Sequence, residues 1–388
     1  MSLDVIKECL KIKEYDDIYD ANDNYHQLGY KNANKELESR FIDLFLSLGF
    51  VILNENEIKQ NHFIVLYKQD IQINISYFKA RNRLTILFGP YKEINLKYDA
   101  IGDNQMTLAQ LARNGAKQSS SGLSLIFQLE DDSYFIIDGG GKDTQDTIKL
   151  YSYLRDNYPH QGKIPIRWLF THAHHDHMEL AIDFLNDYQD EIDVLLFSYN
   201  FPDFKSLKIT REPQNRIQDS LDLIAKFEEL RNKYYQNVPI HKHHCGDIIQ
   251  IGNFKMTCLL NHEGYYPNEF YWINDTSSSF LVETKDKKVV FLGDSERGEC
   301  IYLNELYSSY LKADILQLTH HGLNGGYLEL YQNINPDTCL WSIDENRYLN
   351  SPYCLGLQPY CEHNLYIRDE NIKKREHYNA SNDVILKL

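Results

Sequence analysis

The segment Thr171-His172-Ala173-His174-His175-Asp176-His177 puts four histidines and an aspartate into seven residues of a chain that has 15 histidines in 388. Its pattern is H-x-H-x-D-H. Imidazole nitrogen and carboxylate oxygen are the donors that a borderline or hard divalent metal accepts at neutral pH. The plain alternative is a solvated polar turn. Against it, the apolar run Ile166-Arg167-Trp168-Leu169-Phe170 leads straight into the cluster. That order predicts a strand that delivers ligands at its C-terminal end, a common way to build a rigid site. His175 falls on a spacer position.

Further donors recur just past apolar runs. His262 follows Met256 to Leu260, Asp294 ends Val289-Val290-Phe291-Leu292-Gly293, and His320-His321 ends Ile315 to Thr319 before Gly322. Each alone reads as a turn or loop residue. Together they suggest strand ends on one sheet edge converging on one point. A second His-rich stretch, His241-Lys242-His243-His244-Cys245, is read as a surface strand: Gly246-Asp247 leads into a hairpin, and Cys245 is not at structural-zinc spacing. His377-Tyr378-Asn379-Ala380 is read as a plain loop.

A scaffold for these residues is legible along the chain. Residues 1 to 97 read as a separate small α+β unit, with a helical stripe from Glu36 to Leu48 and β-rich runs at 50–53, 63–67, 71–75 and 84–88. Residues 98 to 123, with Ser119-Ser120-Ser121-Gly122, read as a linker. A hairpin is predicted over 123–137, then a helix from Thr144 to Tyr158 with Ile148, Leu150, Tyr151 and Leu154 as its apolar positions. Next come the His-delivering strand, a helix to Tyr188, a strand at 194–197 and an amphipathic helix over 212–236. Paired strands follow at 247–260 and 279–292, a helix from Glu296 to Tyr310, strand 313–318, a helix near 327–332, strand 338–343 and a terminal strand at 384–388. Strands separated by helical stripes at this rhythm imply an α/β layered domain over 98–388.

Net charge is −16, which argues against avid, sequence-independent nucleic-acid binding. No run of 18 apolar residues suggests a membrane span. The N-terminus lacks the basic start and apolar core of a signal peptide. Seven scattered cysteines without a C-x-x-C pair fit a reduced, cytoplasmic setting. The charge does not exclude a phosphate-ester substrate, since a divalent metal can supply local positive charge, and the sequence leaves the oligomeric state open.

On these residues the chain resembles the metallo-β-lactamase superfamily of metallohydrolases, over roughly residues 120 to 345. The resemblance implies an αββα sandwich. It also implies two divalent metals, zinc first, with manganese or iron suited to the same donors. His172, His174 and His262 would hold one metal, Asp176, His177 and His321 the other, with Asp294 between and Asp138 supporting from behind. Asn274-Asp275-Thr276-Ser277 and His320-His321-Gly322 look like the phosphodiesterase branch that includes competence proteins and choline-phosphate esterases. Asn261-His262-Glu263-Gly264 departs from the Gly-His-Thr-Pro-Gly surroundings of the lactonase and glyoxalase branches. The implied reaction is hydrolysis of a small-molecule substrate, first a phosphodiester, by a hydroxide bridging the two metals, with Asp176 orienting the nucleophile and His320 contacting substrate. Thioester or lactone hydrolysis at the same centre is the enzymatic alternative, and a metal-binding scaffold without catalysis is the other. A diiron redox protein is disfavoured, because those relatives carry Glu where this chain has His174.

Overall fold

The computed structural model describes residues 17–22, 25–99, 102, 104–112, 124–204, 206–323, 325–351, 376–379 and 383–388. The first unit comprises β1 (Asp17–Asn22), β2 (Tyr25–Tyr30), α1 (Lys35–Ser47), β3 (Val51–Ile58), β4 (Asn61–Lys68), β5 (Ile71–Phe78) and β6 (Arg83–Pro90). Its strands form an antiparallel sheet ordered β1-β2-β6-β5-β4-β3. The Asn34 side chain caps α1 by accepting from the Leu37 N–H. The apolar stripe of α1 then buries Leu37, Phe41 and Phe45 against Leu66, Ile73, Ile75 and Phe88. β1 and β2 were not expected, since Asp17–Tyr30 carries neither a clean alternation nor an apolar run.

The opposite face of this sheet covers the second unit. Ile58, Phe63 and Phe78 join its core, and Asn61 Nδ2 donates to the Leu306 carbonyl (3.1 Å). Asn56 Nδ2 donates to the Gly246 carbonyl (2.9 Å), and Arg81 lies 4.8 Å from the Tyr302 ring centroid.

The second unit runs β7 (Lys97–Tyr98), β8 (Thr107–Gln110), β9 (Leu125–Gln128), β10 (Tyr134–Ile137), α2 (Thr144–Asn157), β11 (Ile164–Leu169), α3 (His175–Asp187), β12 (Ile192–Ser198), α4 (Gln214–Tyr234) and β13 (Ile240–His241). It continues with β14 (Ile248–Ile251), β15 (Phe254–Leu260), the single turn α5 (His262–Tyr265), β16 (Ser279–Glu283), β17 (Lys288–Phe291) and α6 (Arg297–Tyr307). β18 (Ile315–Gln317), α7 (Leu328–Ile334), β19 (Thr338–Trp341), α8 (Glu345–Asn350), β20 (Glu376–Asn379) and β21 (Val384–Lys387) complete it. One sheet is ordered β13-β12-β11-β10-β9-β8-β21 and the other β20-β19-β18-β17-β16-β15-β14-β7.

Each sheet buries both faces, which is why its strands read as continuous apolar runs. In β10, Phe135 and Ile137 point into the layer between the sheets, where they meet Phe254, Met256, Phe280 and Phe291. Tyr134 and Ile136 point outward, beneath Leu150 and Leu154 of α2 and Ala181 and Phe184 of α3. On the other sheet, Leu281, Val290 and Leu316 face outward under Leu303 and Leu306 of α6 and Leu330 of α7. The result is the expected αββα sandwich with a small α+β unit docked on it.

Three expectations change. The presumed linker contains β8, an interior strand paired with β9 and β21, while residues 113–123 lie outside the described residues. Residues 377–379, read as loop, belong to β20, which pairs in parallel with β19. Ile148 is 45% exposed, so α2 buries Leu150 and Leu154 without it. Among the described residues no helix is long and apolar enough to cross a membrane.

Candidate metal centre

β10, β11 and β12 are parallel neighbours in one sheet, as are β17, β18 and β19 in the other. Loops leaving their C-terminal ends therefore open on a common edge, where parallel sheets usually hold sites. The loop after β10 supplies Asp138, and the loop after β11 supplies His172 and His174. Asp176 and His177 lie in the first turn of α3, whose N-cap is His174. That end of a helix favours a carboxylate such as Asp176. β17 leads to Asp294 and β18 to His320 and His321.

Close contact holds these loops in place. Gly139 N–H donates to the His177 carbonyl (2.6 Å), and Leu180 N–H to the Gly140 carbonyl (3.0 Å). A Cβ on Gly139 would lie 2.5 Å from the Ala181 Cβ, so only glycine lets α3 approach this strand end. Gln317, buried at the end of β18, clamps the loop that carries Asp294. Its Oε1 accepts from Leu292 N–H and Gly293 N–H (both 2.9 Å), and its Nε2 donates to the Gly293 carbonyl (3.1 Å). Ser277 Oγ accepts from Asp294 N–H at 3.2 Å. His320 and His321 both take left-handed φ (47° and 58°). Gly322 follows at φ 80°, and a Cβ there would lie 2.2 Å from the Trp341 ring.

Two groups of ligand-type atoms result, each within 4.8 Å of one another: His172, His174 and Asp294 in one, Asp176, His177 and His321 in the other. Asp294 Oδ2 sits between them, 3.9 Å from His172 Nε2, 3.2 Å from His177 Nε2 and 3.3 Å from His321 Nε2. His321 Nε2 is also 3.3 Å from Asp176 Oδ2. The rear nitrogens are already used. His177 Nδ1 pairs with Asp138 Oδ2 (2.9 Å) and His321 Nδ1 with the Ser342 carbonyl (3.0 Å). Asp138 in turn accepts from Thr171 N–H and Thr171 Oγ1 (both 2.8 Å). Such backing fixes ring orientation and leaves Nε2 facing the centre.

The electrostatics fit a site built around positive charge. Burial favours the neutral forms of His172 and His174: it lowers both, His174 to about 4, with the neighbouring His177 adding to the effect. Burial also opposes charge on His177, yet Asp294 and Asp138 hold it well above its ordinary value. In the same way Asp294 and Asp176 raise His321 to about 9. Burial would raise Asp294, but His321 and His177 hold it well below the carboxylate range; His321 and His177 do the same for Asp176. The carboxylates thus draw cations to the centre. Among the described residues, His177 Nε2, His321 Nε2 and Asp294 Oδ1 are buried with no hydrogen-bond partner. Buried polar atoms left this way are costly, and a divalent cation satisfies them all. The donor set fits metal.

His262 joins neither group. It heads α5, fully buried, and burial lowers it to about 4 against the opposing pull of Glu263, with Lys242 and His244 as its other charged neighbours. The stretch 241–245 is not a surface strand: His241, His243 and His244 are buried. His243 Nε2 meets Ser278 Oγ (2.8 Å), His241 Nε2 meets Asp247 Oδ2 (3.1 Å) and His244 Nδ1 meets Glu263 Oε2 (2.7 Å). Charged partners had hidden a buried network behind a polar sequence.

A cavity of about 350 Å³ opens on the centre, lined in part by His174, His175, Asp176, Asp294 and His320. His320 Nδ1 lies 3.2 Å from Glu296 Oε1, and Asn274 Nδ2 reaches both residues. His175, placed on a spacer position by the sequence, lines the cavity as well. Asn274-Asp275-Thr276-Ser277 now has a physical role at each position. Asn274 meets His320, Asp275 Oδ2 accepts from Trp272 N–H (2.9 Å), Thr276 Oγ1 donates to the Ile273 carbonyl (2.7 Å), and Ser277 holds Asp294. Gln317 was missed, and only its place beside the Thr319-His320-His321 segment could have drawn notice.

No family model matches the sequence, and no curated protein matches it. Solved structures similar to the chain include a mutant of CmlA beta-hydroxylase (11% identity, 78% of this chain and 55% of that one, TM-score 0.44). A long form RNase Z from yeast is another (14% identity, 74% of this chain and 41% of that one, TM-score 0.39). A beta-lactamase domain protein from Burkholderia ambifaria is a third (16% identity, 45% of this chain and 50% of that one, TM-score 0.27). The chain spans about half the length of each of these proteins.

Proposed function

We propose that the chain is a metal-dependent hydrolase of the metallo-β-lactamase type, that it holds two divalent cations, zinc first, and that it acts on a phosphodiester. The observation that carries this reading is the meeting of six donor residues from three chain segments, the ends of β11, β17 and β18, with Asp294 Oδ2 between the two groups and His177 Nε2 and His321 Nε2 buried and turned inward. His172, His174 and Asp294 would hold one ion, and Asp176, His177 and His321 the other, with Asp294 shared. When bound, such ions supply Lewis-acid polarisation of the substrate and lower the pKa of water toward neutrality.

The chain's own residues do the rest. Asp138 fixes the His177 ring through Nδ1, and the Ser342 carbonyl fixes His321. Asp176 supplies a carboxylate at the cavity wall that can orient an attacking water. His320, held by Glu296 and Asn274 at the same wall, is placed to hydrogen-bond a phosphoryl oxygen or to protonate a leaving group. The test is hydrolysis of bis-p-nitrophenyl phosphate and a panel of phosphodiesters by the zinc-loaded full chain. Turnover that falls at least about a hundredfold in Asp176→Asn supports the reading, on the scale of losing a positioned acid–base group. No turnover on any diester by metal-loaded protein removes the phosphodiester assignment.

A further inference from the structure

The cavity is also lined by residues that are not metal donors. Glu212 precedes α4, Arg216 and Asp219 lie on its first turns, Trp272 and Asn274 come from the loop before β16, and Glu296 from the loop after β17. They include three carboxylates and a single guanidinium. Acidic residues alone would say little, since most are solvated. Two buried acceptors say more.

Glu212 has a side chain only 2% exposed. Its Oε2 accepts from Ile273 N–H at 3.1 Å, which fixes the carboxylate. Its Oε1 is buried and has no hydrogen-bond partner among the described residues; the Arg216 guanidinium, 66% exposed, is 3.8 Å away, beyond hydrogen-bond reach. Asn274, 5% exposed, donates from Nδ2 to Glu296 Oε1 (3.2 Å), and this identifies its other atom as the carbonyl oxygen. That Oδ1 is likewise buried without a partner among the described residues. A buried carboxylate oxygen and a buried amide oxygen, both unpaired in residues that line one cavity, ask for N–H donors. Trp272, 37% exposed, adds an aromatic face that attracts cations.

We infer that this set of residues recognises a protonated amine or guanidine on the substrate, a cation that carries N–H donors, while the anionic group sits at the metal centre. The inference rests on the proposed function for the position of that anionic group. Substrates would then be zwitterionic across the cavity, with the two charges held by different residues.

Calorimetric titration of the zinc-loaded full chain separates the two claims. The probes are 2-aminoethyl phosphate, its N,N,N-trimethyl analogue and propyl phosphate. The expected result is about tenfold tighter binding of the aminoethyl ester than of the propyl ester, the scale of one charge-assisted hydrogen bond. The trimethyl ester, which has no N–H, should lose most of that gain. In Glu212→Gln, and in part in the exposed-site variant Asp219→Asn, the ratio of aminoethyl to propyl affinity should fall toward one. Circular dichroism checks that Glu212→Gln is folded; if it is not, Asp219→Asn decides. Equal binding of aminoethyl and propyl esters overturns the inference and leaves the metal-site reading standing. Equal binding of aminoethyl and trimethyl esters overturns the role of the two acceptors. No binding of any of the three esters overturns both readings.

Discussion

Gln317→Met is the substitution that most sharply tests how the centre is held. Methionine keeps the length and volume of the side chain but carries neither amide. In the native protein Gln317 is fully buried, and its Oε1 is the acceptor for both Leu292 N–H and Gly293 N–H. Removing it leaves two buried backbone donors unpaired, each costing about 1–3 kcal/mol, so the expected loss is about 2–6 kcal/mol. That is a large part of the stability of an ordinary domain. The loop can recover some of it only by moving toward other acceptors, and that motion carries Asp294 away from His177 and His321. Two readouts should therefore move together: the urea midpoint of the metal-free protein, and zinc affinity measured by competition with a chromogenic chelator. Gln317→Glu separates the contributions, since it keeps an acceptor for the two N–H groups while turning a carboxylate toward the Gly293 carbonyl. The reasoning is refuted if Gln317→Met changes neither stability nor zinc affinity. It is also refuted if stability falls while zinc affinity stays at the native level, since Asp294 would then not depend on the clamp.

Other substitutions probe separate parts of the account. Asp138→Asn keeps shape but weakens the acceptor behind His177 Nδ1, and should lower zinc affinity by about 10–100-fold in the same chelator assay, the usual effect of losing a partner behind a ligand; an unchanged affinity would contradict the role given to Asp138. His262→Gln should leave the metal content per folded chain unchanged, because His262 joins neither ligand group; loss of one ion would restore the ligand set implied by the family resemblance. His62 gives a pH signature in the small unit. Its bond to Glu38, assisted by Glu55, raises it above its ordinary value against the opposing effect of burial. A raised folded pKa stabilises fully below the unfolded value and is lost as pH rises through the folded one. The melting temperature should thus fall as pH is raised from about 6.5 through the elevated His62 value, and His62→Gln should flatten that slope; an identical slope in the variant would remove His62 as its source.

Much of this was legible from spacing. H-x-H-x-D-H after an apolar run gave four inward residues, because a strand end fixes position and period at once. Asp294 and His321 were readable for the same reason. His262 was misleading because it too follows a strand, β15, which runs in the same direction as β17 and ends on the same edge, two strands away; yet it heads the turn α5 and is buried beside Lys242, Glu263 and His244, outside both ligand groups. The buried network at 241–244 was hidden because charged partners such as Asp247 and Glu263 satisfy polar side chains in a core, and a one-dimensional pattern shows only polarity. The first two strands pair with each other but escaped notice because Asp17–Tyr30 has neither a clean alternation nor an apolar run, and β8 escaped because it is held by β9 and the distant β21, where tertiary context outweighs weak local preference. Gln317 is the clearest loss, since a buried glutamine in a short apolar strand announces nothing about which loop it holds.

Metal content by elemental analysis, on the full chain expressed in zinc-replete medium and dialysed free of loose ions, tests the central claim most directly. Two ions per chain are predicted, falling to less than one in Asp294→Asn, since Asp294 Oδ2 stands between both donor groups. Native protein that retains no metal, or an Asp294→Asn variant that retains as much as the native chain, would contradict it.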